Sequence, residues 1–142
     1  MAFNVLIVDD SLAMRAVIKK TIKIAGFKIG ELLEASDGRK ALEVMENTWV
    51  DVVLTDINMP NMNGFELIET MQQDAVLKQI PIVMVTTEGS EKAVERAMTA
   101  GARGFIQKPF SPEEIVKTLN QILGEPTDED RNAEADDGGL DF

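Results

Sequence analysis

The sequence predicts an α/β fold, an open parallel sheet of five strands with helices on both faces. Within the first 124 residues, five short apolar segments alternate with five segments of helical periodicity, which is the pattern of a wound α/β sheet. The apolar run at residues 5–8 is continuous, as expected of a strand that is covered on both faces. No motif repeats every 20–50 residues, which argues against a solenoid.

The first half of the chain supplies two strand–helix units and a third strand. The first strand ends at two acids, Asp9 and Asp10, after which Ser11 suits a helix N-cap and Gly26 a helix stop. In chain order we predict a strand at residues 3–8, a helix at 12–25, a strand at 32–35, a helix at 40–47 and a strand at 50–55 that ends at Asp56.

The second half continues the alternation. Residues 58–64 have the Pro, Asn and Gly content of a fixed turn. Ser111, Pro112 and Glu114 combine a capping box with proline at the first helical position, the clearest helix start in the chain. We predict a helix at 65–73, a strand at 80–85, a helix at 91–100, a strand at 104–107 and a helix at 112–123, with the domain ending at residue 124.

Composition excludes several functional classes. A chain of 142 residues with 44% apolar residues supports one compact domain. Cysteine and histidine are both absent, which excludes disulfides, a Ser-His-Asp triad and a phosphohistidine within this chain. No apolar run approaches the ~18 residues of a membrane span and no signal peptide is evident, so we expect a cytoplasmic protein. The net charge of −11 disfavours nucleic acid and anionic membranes as ligands.

Functional side chains stand at the ends of four predicted strands. Asp9 and Asp10 follow the first strand, Asp56 the third, Thr86 the fourth and Lys108 the fifth. Open α/β sheets bind ligands outside the carboxyl ends of their strands, so we expect these side chains to meet in one crevice. Taken singly, each could be an ordinary loop, capping or surface residue, and only the combination points to a site.

Three carboxylates in one crevice favour a hard divalent cation such as Mg²⁺. The ammonium of Lys108 would add positive charge opposite them, and together these charges suit a dianionic phosphoryl group. Asp56 is the best candidate nucleophile because it stands alone at the end of its strand with a rigid turn behind it.

These residues resemble the receiver domains of two-component response regulators, and in particular the single-domain, CheY-like chemotaxis regulators. The resemblance covers residues 3–124. It rests on residues 6–11 with Met14 and Arg15, residues 55–64, Val85 with Thr86, and residues 105–110. It implies a flavodoxin-like (βα)5 sheet with strand order 2-1-3-4-5 and a cis bond between Lys108 and Pro109.

The resemblance also implies roles for the site residues. Asp56 would accept the phosphoryl group, and Thr86 and Lys108 would contact its oxygens. The implied ligands of Mg²⁺ are Asp10, Asp56 and the backbone carbonyl of Asn58, with Asp9 acting through a water molecule.

Phosphorylation would draw Thr86 inward, and the aromatic ring of Phe105 would follow as the switch. Chemotaxis relatives usually carry tyrosine at that position, so Phe105 lacks a hydroxyl, and an ordinary core role stays open for it. Asn58 and Glu88 match positions that tune the lifetime of the acyl phosphate, although ordinary loop polarity also accounts for them.

The function expected is that of a signalling module and not of an enzyme acting on substrates. A histidine kinase of the CheA type would donate the phosphoryl group, and a flagellar motor switch protein or another output protein would read the change. A phosphatase is a possible further partner, and we expect a monomer.

The alternative within signalling is a phosphate sink or phosphorelay intermediate. An Asp-dependent phosphatase for small esters and a flavin-binding protein fit less well, the latter because acids replace the hydroxyl-rich phosphate loop.

Residues 125–142 differ from the rest, with eight acids and one arginine for a net charge of −7. We expect a disordered, solubilising tail. A second hypothesis makes it an autoinhibitory or partner-selecting peptide, anchored by Leu140 and Phe142 on the surface of the fourth helix, fifth strand and fifth helix.

Overall fold

Strands and α-helices alternate along residues 2–124, the part of the chain that the computed structural model describes. In chain order the elements are β1 (Phe3–Val8), α1 (Leu12–Ala25), β2 (Ile29–Ala35), α2 (Gly38–Asn47), β3 (Val52–Thr55), α3 (Gly64–Gln72), β4 (Ile82–Thr86), α4 (Glu91–Ala100), β5 (Gly104–Gln107) and α5 (Pro112–Leu123). A short 3-10 helix, Leu77–Gln79, precedes β4.

The strands form one parallel sheet in the order β2-β1-β3-β4-β5. Val8 at the end of β1 pairs with Thr55 at the end of β3, and Thr86 at the end of β4 pairs with Gln107 at the end of β5. Thr55 pairs with Met84, so β4 and β5 end two residues beyond β1 and β3 at the same edge of the sheet. The predicted fold class and strand order are confirmed.

Each face of the sheet carries its own hydrophobic core. Against one face, α1 and α5 pack through fully buried side chains such as Ile22 and Leu119. Against the other, α2, α3 and α4 pack through residues such as Ala41, Ile68 and Ala97. Because both faces are covered, the central strands β1, β3 and β4 are apolar almost throughout.

The helix ends follow the predicted capping signals. The Ser11 hydroxyl accepts a hydrogen bond from the Met14 amide, and Gly26 ends α1 in the left-handed region at φ 84°. The capping box of Ser111 and Glu114 is present at the start of α5. A second capping box, formed by Asn63 and Glu66 at the start of α3, was not predicted.

The starts of three strands were predicted wrongly, and that of β3 is Val52 and not residue 50. Strand β2 begins at Ile29 and not at residue 32, because the Phe3 amide donates to the Lys28 carbonyl and extends the pairing with β1. Strand β4 begins at Ile82 and not at residue 80, because the Ile80 amide closes the preceding 3-10 turn. Neither of these two hydrogen bonds has a recognisable signal in the sequence.

No helix within residues 2–124 is long and apolar enough to cross a membrane. The predicted tail, with Leu140 and Phe142, lies outside the described residues.

Candidate functional site

The sheet brings the predicted acids and the lysine to one edge. Asp9 and Asp10 follow β1, Asp56 follows β3, and Lys108 follows β5. The ammonium of Lys108 donates to Asp9 Oδ2 at 2.7 Å and to Asp56 Oδ2 at 3.1 Å. One cation thus bridges carboxylates from two neighbouring strands.

This ion-pair cluster is largely withdrawn from solvent. The side chains of Asp9, Asp56 and Lys108 are 2%, 13% and 9% exposed. Burial by itself lowers the pKa of Lys108, but the hydrogen bond to Asp9 and the charges of both acids outweigh it and raise that pKa above its ordinary value. Lys108 is therefore held as a cation at the floor of the crevice.

Asp9, Asp10 and Asp56 each offer a carboxylate oxygen within 4.8 Å of the other two. Asp10 is exposed, so the cluster is open to solvent at that residue. Three hard oxygen donors with one open side suit Mg²⁺, which keeps several water molecules and binds through one or two carboxylates. The donor set fits this ion, because the single positive charge of Lys108 does not balance the three negative charges of the carboxylates. The side chain of Asn58, two residues beyond Asp56, is exposed. The role of the Asn58 backbone carbonyl as a metal ligand stays a prediction.

The backbone around Asp56 is fixed from several directions. Its amide donates to the Val8 carbonyl at 2.9 Å, and its Oδ1 accepts from the Ile57 amide at 2.7 Å, which leaves Oδ2 for Lys108. A Cβ atom at Gly64 would lie 2.4 Å from the Asp56 carbonyl oxygen, so only glycine fits there. This close approach was not predicted from the sequence, because it depends on how α3 returns to the end of β3.

Thr86 ends β4 beside this cluster and is fully buried. Its hydroxyl accepts from the Glu88 amide at 3.2 Å, and its carbonyl accepts from the Lys108 amide at 2.8 Å. The predicted cis bond between Lys108 and Pro109 is present. Thr86 and Lys108 are thus linked through the backbone, while the Glu88 side chain points into solvent.

Phe105 is half-buried and pairs in register with Met84, two residues before Thr86. It packs against the core beneath α2, α3 and α4. Phe105 and Thr86 therefore lie on the paired strands β5 and β4, and the Phe105 ring contacts a hydrophobic core. Both interpretations of Phe105, as a switch and as a core residue, stay open.

One set of supporting residues was missed. The Arg15 guanidinium donates to the Asp9 backbone carbonyl and to Glu34 Oε1 on β2, the latter at 2.8 Å. Lys19 donates to Glu34 Oε2 at 2.9 Å, and the hydrogen bonds from Lys19 and then Arg15 lower the pKa of Glu34. The Ser11 amide also donates to Asp9 Oδ1 at 2.8 Å. These contacts orient Asp9, and the four-residue spacing of Arg15 and Lys19 was the available signal.

Asp37, the N-cap of α2, ties that helix to the loop after β3. It accepts from the Lys40 amide and from Asn61 Nδ2, and these bonds, first that from Lys40 and then that from Asn61, lower the pKa of Asp37. The Gly38 amide donates to the Met62 carbonyl at 3.0 Å. The turn that follows Asp56 is therefore held against α2 and does not stand free.

Comparison with known proteins gives consistent matches. Residues 5–120 match the response regulator receiver domain family. Over 122 residues, the chain is 41% identical to chemotaxis protein CheY1 of Helicobacter pylori, covering 85% of this chain and 97% of that protein. It is 40% identical to the chemotaxis protein CheY homolog of Campylobacter jejuni, with 85% and 92% covered.

Solved structures give the same result. Chemotaxis protein CheY4 of Vibrio cholerae superposes with a TM-score of 0.78 at 38% identity, covering 87% of this chain and all of that one. A receiver domain of a sensor histidine kinase from Pseudomonas aeruginosa, solved with magnesium coordinated in its active site cleft, superposes with a TM-score of 0.77 at 22% identity, covering 88% and 100%. The second likeness bears on the fold alone.

Proposed function

This chain belongs to the response regulator receiver domain family, and we propose that it accepts a phosphoryl group on Asp56 from a histidine kinase and signals by contact with another protein. The observation that carries the proposal is the cluster in which Lys108 bridges Asp9 and Asp56, with Asp10 beside them. Residues 1–124 form the receiver domain in this proposal, and residues 125–142 form a separate segment.

The chemistry is a phosphoryl transfer. A carboxylate oxygen of Asp56 attacks phosphorus in line, the new O–P bond forms, and the bond from phosphorus to the donor histidine nitrogen breaks. Attack of water on phosphorus later releases inorganic phosphate and restores the Asp56 carboxylate. Asp9, Asp10 and Asp56 would hold Mg²⁺, which would supply positive charge to the phosphoryl oxygens.

The residues of the chain prepare this reaction. Lys108 supplies a fixed positive charge beside Asp56 and needs no reorganisation as charge develops. Asp9 holds Lys108 in place, and with Asp10 it offers ligands to the metal. Thr86, linked to Lys108 through the backbone, is the proposed reader of the new phosphoryl group together with Phe105, and Asn58 and Glu88 at the rim are the proposed tuners of its lifetime.

Chemotaxis is the pathway that we propose, because the relatives near 40% identity are named chemotaxis proteins. The proposed donor is a CheA-like kinase in the cytoplasm, and the proposed receiver of the signal is a flagellar motor switch protein. A phosphate sink would use the same site residues. Phosphorylation-dependent binding to the motor switch protein separates the two functions, because a sink shows none.

The direct test of phosphoryl transfer is incubation with acetyl phosphate and Mg²⁺, followed by intact mass measurement. We expect the mass of one phosphoryl group to be added to the wild-type chain and none to Asp56→Asn, whose fold should be intact because the exchange is nearly isosteric. Asp51→Asn is the matched control, since Asp51 lies before β3 at the opposite end of the strand. Equal phosphorylation of Asp56→Asn and wild type would overturn the assignment.

A further inference from the structure

The loop of residues 56–63 that joins β3 to α3 is anchored to the start of α2. Within residues 2–124, two hydrogen bonds connect the middle of this loop, residues 58–62, to another element. The Gly38 amide donates to the Met62 carbonyl at 3.0 Å, and Asn61 Nδ2 donates to Asp37 Oδ2 at 2.8 Å. Both contacts are made to the beginning of α2, so this helix holds the middle of the loop.

The loop and the helix come very close together at this point. A Cβ atom at Gly38 would lie 2.6 Å from Met62 Cγ, so the absence of a side chain there permits the approach. Met59 and Met62 also pack against the hydrophobic core on this face of the sheet. Apolar contacts have no preferred direction, whereas hydrogen bonds do. The two hydrogen bonds are therefore the contacts that orient the loop backbone.

Asp37 uses both carboxylate oxygens in this arrangement. Its Oδ1 accepts from the Lys40 amide at 2.9 Å as the N-cap of α2, and its Oδ2 accepts from Asn61. Asp37 is only 3% exposed, so the helix cap keeps the carboxylate in one place. Asn61 adopts φ 66°, a left-handed conformation that asparagine and aspartate tolerate better than most residues. The loop thus directs an amide at a fixed, buried acceptor.

We propose that Asp37 and Asn61 are positioning residues for the magnesium site, because their hydrogen bond sets the path of the loop and thereby the place of the Asn58 backbone carbonyl. This inference rests on the proposed function, in which that carbonyl is a ligand of Mg²⁺. Asn58 stands two residues after Asp56 and three before Asn61. A loop released from α2 would therefore carry the carbonyl away from the carboxylates. Groups that orient metal ligands from behind change metal affinity about 10–100-fold when they are replaced.

Asn61→Asp is the decisive variant. The new carboxylate would face that of Asp37, so the hydrogen bond is lost and two like charges push the loop away from α2. The backbone conformation at position 61 suits aspartate as it suits asparagine. The added negative charge by itself would strengthen the attraction of Mg²⁺, so weaker binding would have to come from the displaced loop. In a titration of the full chain with MgCl₂, followed by ¹⁵N NMR, we expect the Kd to rise about tenfold.

Exchanging the two residues should restore the contact. In Asp37→Asn/Asn61→Asp, the carboxamide at position 37 still caps the Lys40 amide and donates to the carboxylate at position 61. The net charge equals that of wild type, and we expect the wild-type Kd. Asn47→Asp is the matched control, since it makes the same exchange at the other end of α2 on an exposed residue. It should not weaken Mg²⁺ binding.

A second measurement needs no metal. Exchange of the Gly38 amide, which donates to the loop, should be severalfold faster in Asn61→Asp and normal in the double variant. Unchanged Gly38 exchange, Mg²⁺ binding by Asn61→Asp as tight as by wild type, or weak binding that the double variant does not repair would each overturn the proposal. Phosphorylation of Asp56 by acetyl phosphate is measured separately on wild type, so failure of this inference is distinguishable from failure of the proposed function.

Discussion

Replacing Lys108 with methionine tests how the site is held together. The substitution keeps the length of the apolar stem and removes the one cation that contacts Asp9 and Asp56. Both acids are largely buried, so the variant leaves negative charge without a partner. Breaking a buried ion pair by removing one member costs about 3–5 kcal/mol. We expect Lys108→Met to lower the free energy of unfolding by that amount.

The loss is large compared with the total stability. For a domain of this size, the entropy of unfolding converts it into a fall of about 12–20 °C in the melting temperature. Denaturant titration at pH 7 without Mg²⁺ measures it directly. Lys92→Met is the control, since Lys92 is exposed on α4, and it should change stability by no more than about 0.5 kcal/mol.

A second substitution isolates the cause. Asp9→Asn in the Lys108→Met background removes the most deeply buried charge, so it should restore at least half of the lost stability. If Lys108→Met cost less than about 1 kcal/mol, or if Asp9→Asn restored nothing, electrostatic pairing would not be what holds the cluster.

The raised pKa of Lys108 fixes the sign of a pH effect in the same pair of proteins. The stabilisation is fully present below the ordinary lysine value of 10.5 and is lost as the pH rises through the folded value. The chain has neither tyrosine nor cysteine, so titration in this range belongs to lysines. Wild type should lose more stability than Lys108→Met between pH 10 and pH 12, and equal losses would contradict the assignment.

Three further changes test other parts of the site. Gly64→Ala should destabilise the fold by at least about 1–3 kcal/mol, since its Cβ would overlap the Asp56 carbonyl, and a denaturation midpoint equal to wild type would show that the backbone adjusts freely. Mg²⁺ at tenfold excess over its Kd should add about 1.4 kcal/mol to the wild-type free energy of unfolding, and a full gain in Asp10→Ala would remove that acid from the metal site. Thr86→Ala should still be phosphorylated by acetyl phosphate but should show a smaller rise in partner binding, because a ligand shifts a population only through contacts that differ between states; a normal rise would reject its role as reader.

The order of elements and the position of the acids could be predicted because both depend on local patterns. Apolar runs mark the strands, and a run that stops at Asp9 or Asp56 places the acid at a carboxyl edge whatever the details of packing. The capping box at Ser111 is equally local. Predictions of this kind need no knowledge of which elements are neighbours.

The features that were missed depend on neighbours. Arg15 reaches Asp9 and Glu34 only because β2 lies beside β1 in the sheet. The need for glycine at position 64 arises where α3 returns to β3. Apolar Leu12 and Val17 belong to the near-helical spacing of apolar residues in α1, yet they are 70% and 49% exposed, since spacing alone does not identify which side of a helix meets the sheet.

The bridge made by Lys108 also has a consequence for the order of folding. Its partners Asp9 and Asp56 precede it by 99 and 52 residues, so each contact closes a long loop. Such contacts form late, because chain entropy opposes them until the intervening elements are in place. During synthesis, β1 and β3 emerge with their acids before β5 exists. A partly made chain therefore presents carboxylates that repel one another and have no ammonium between them, and the site is completed only when the last strand joins the edge of the sheet.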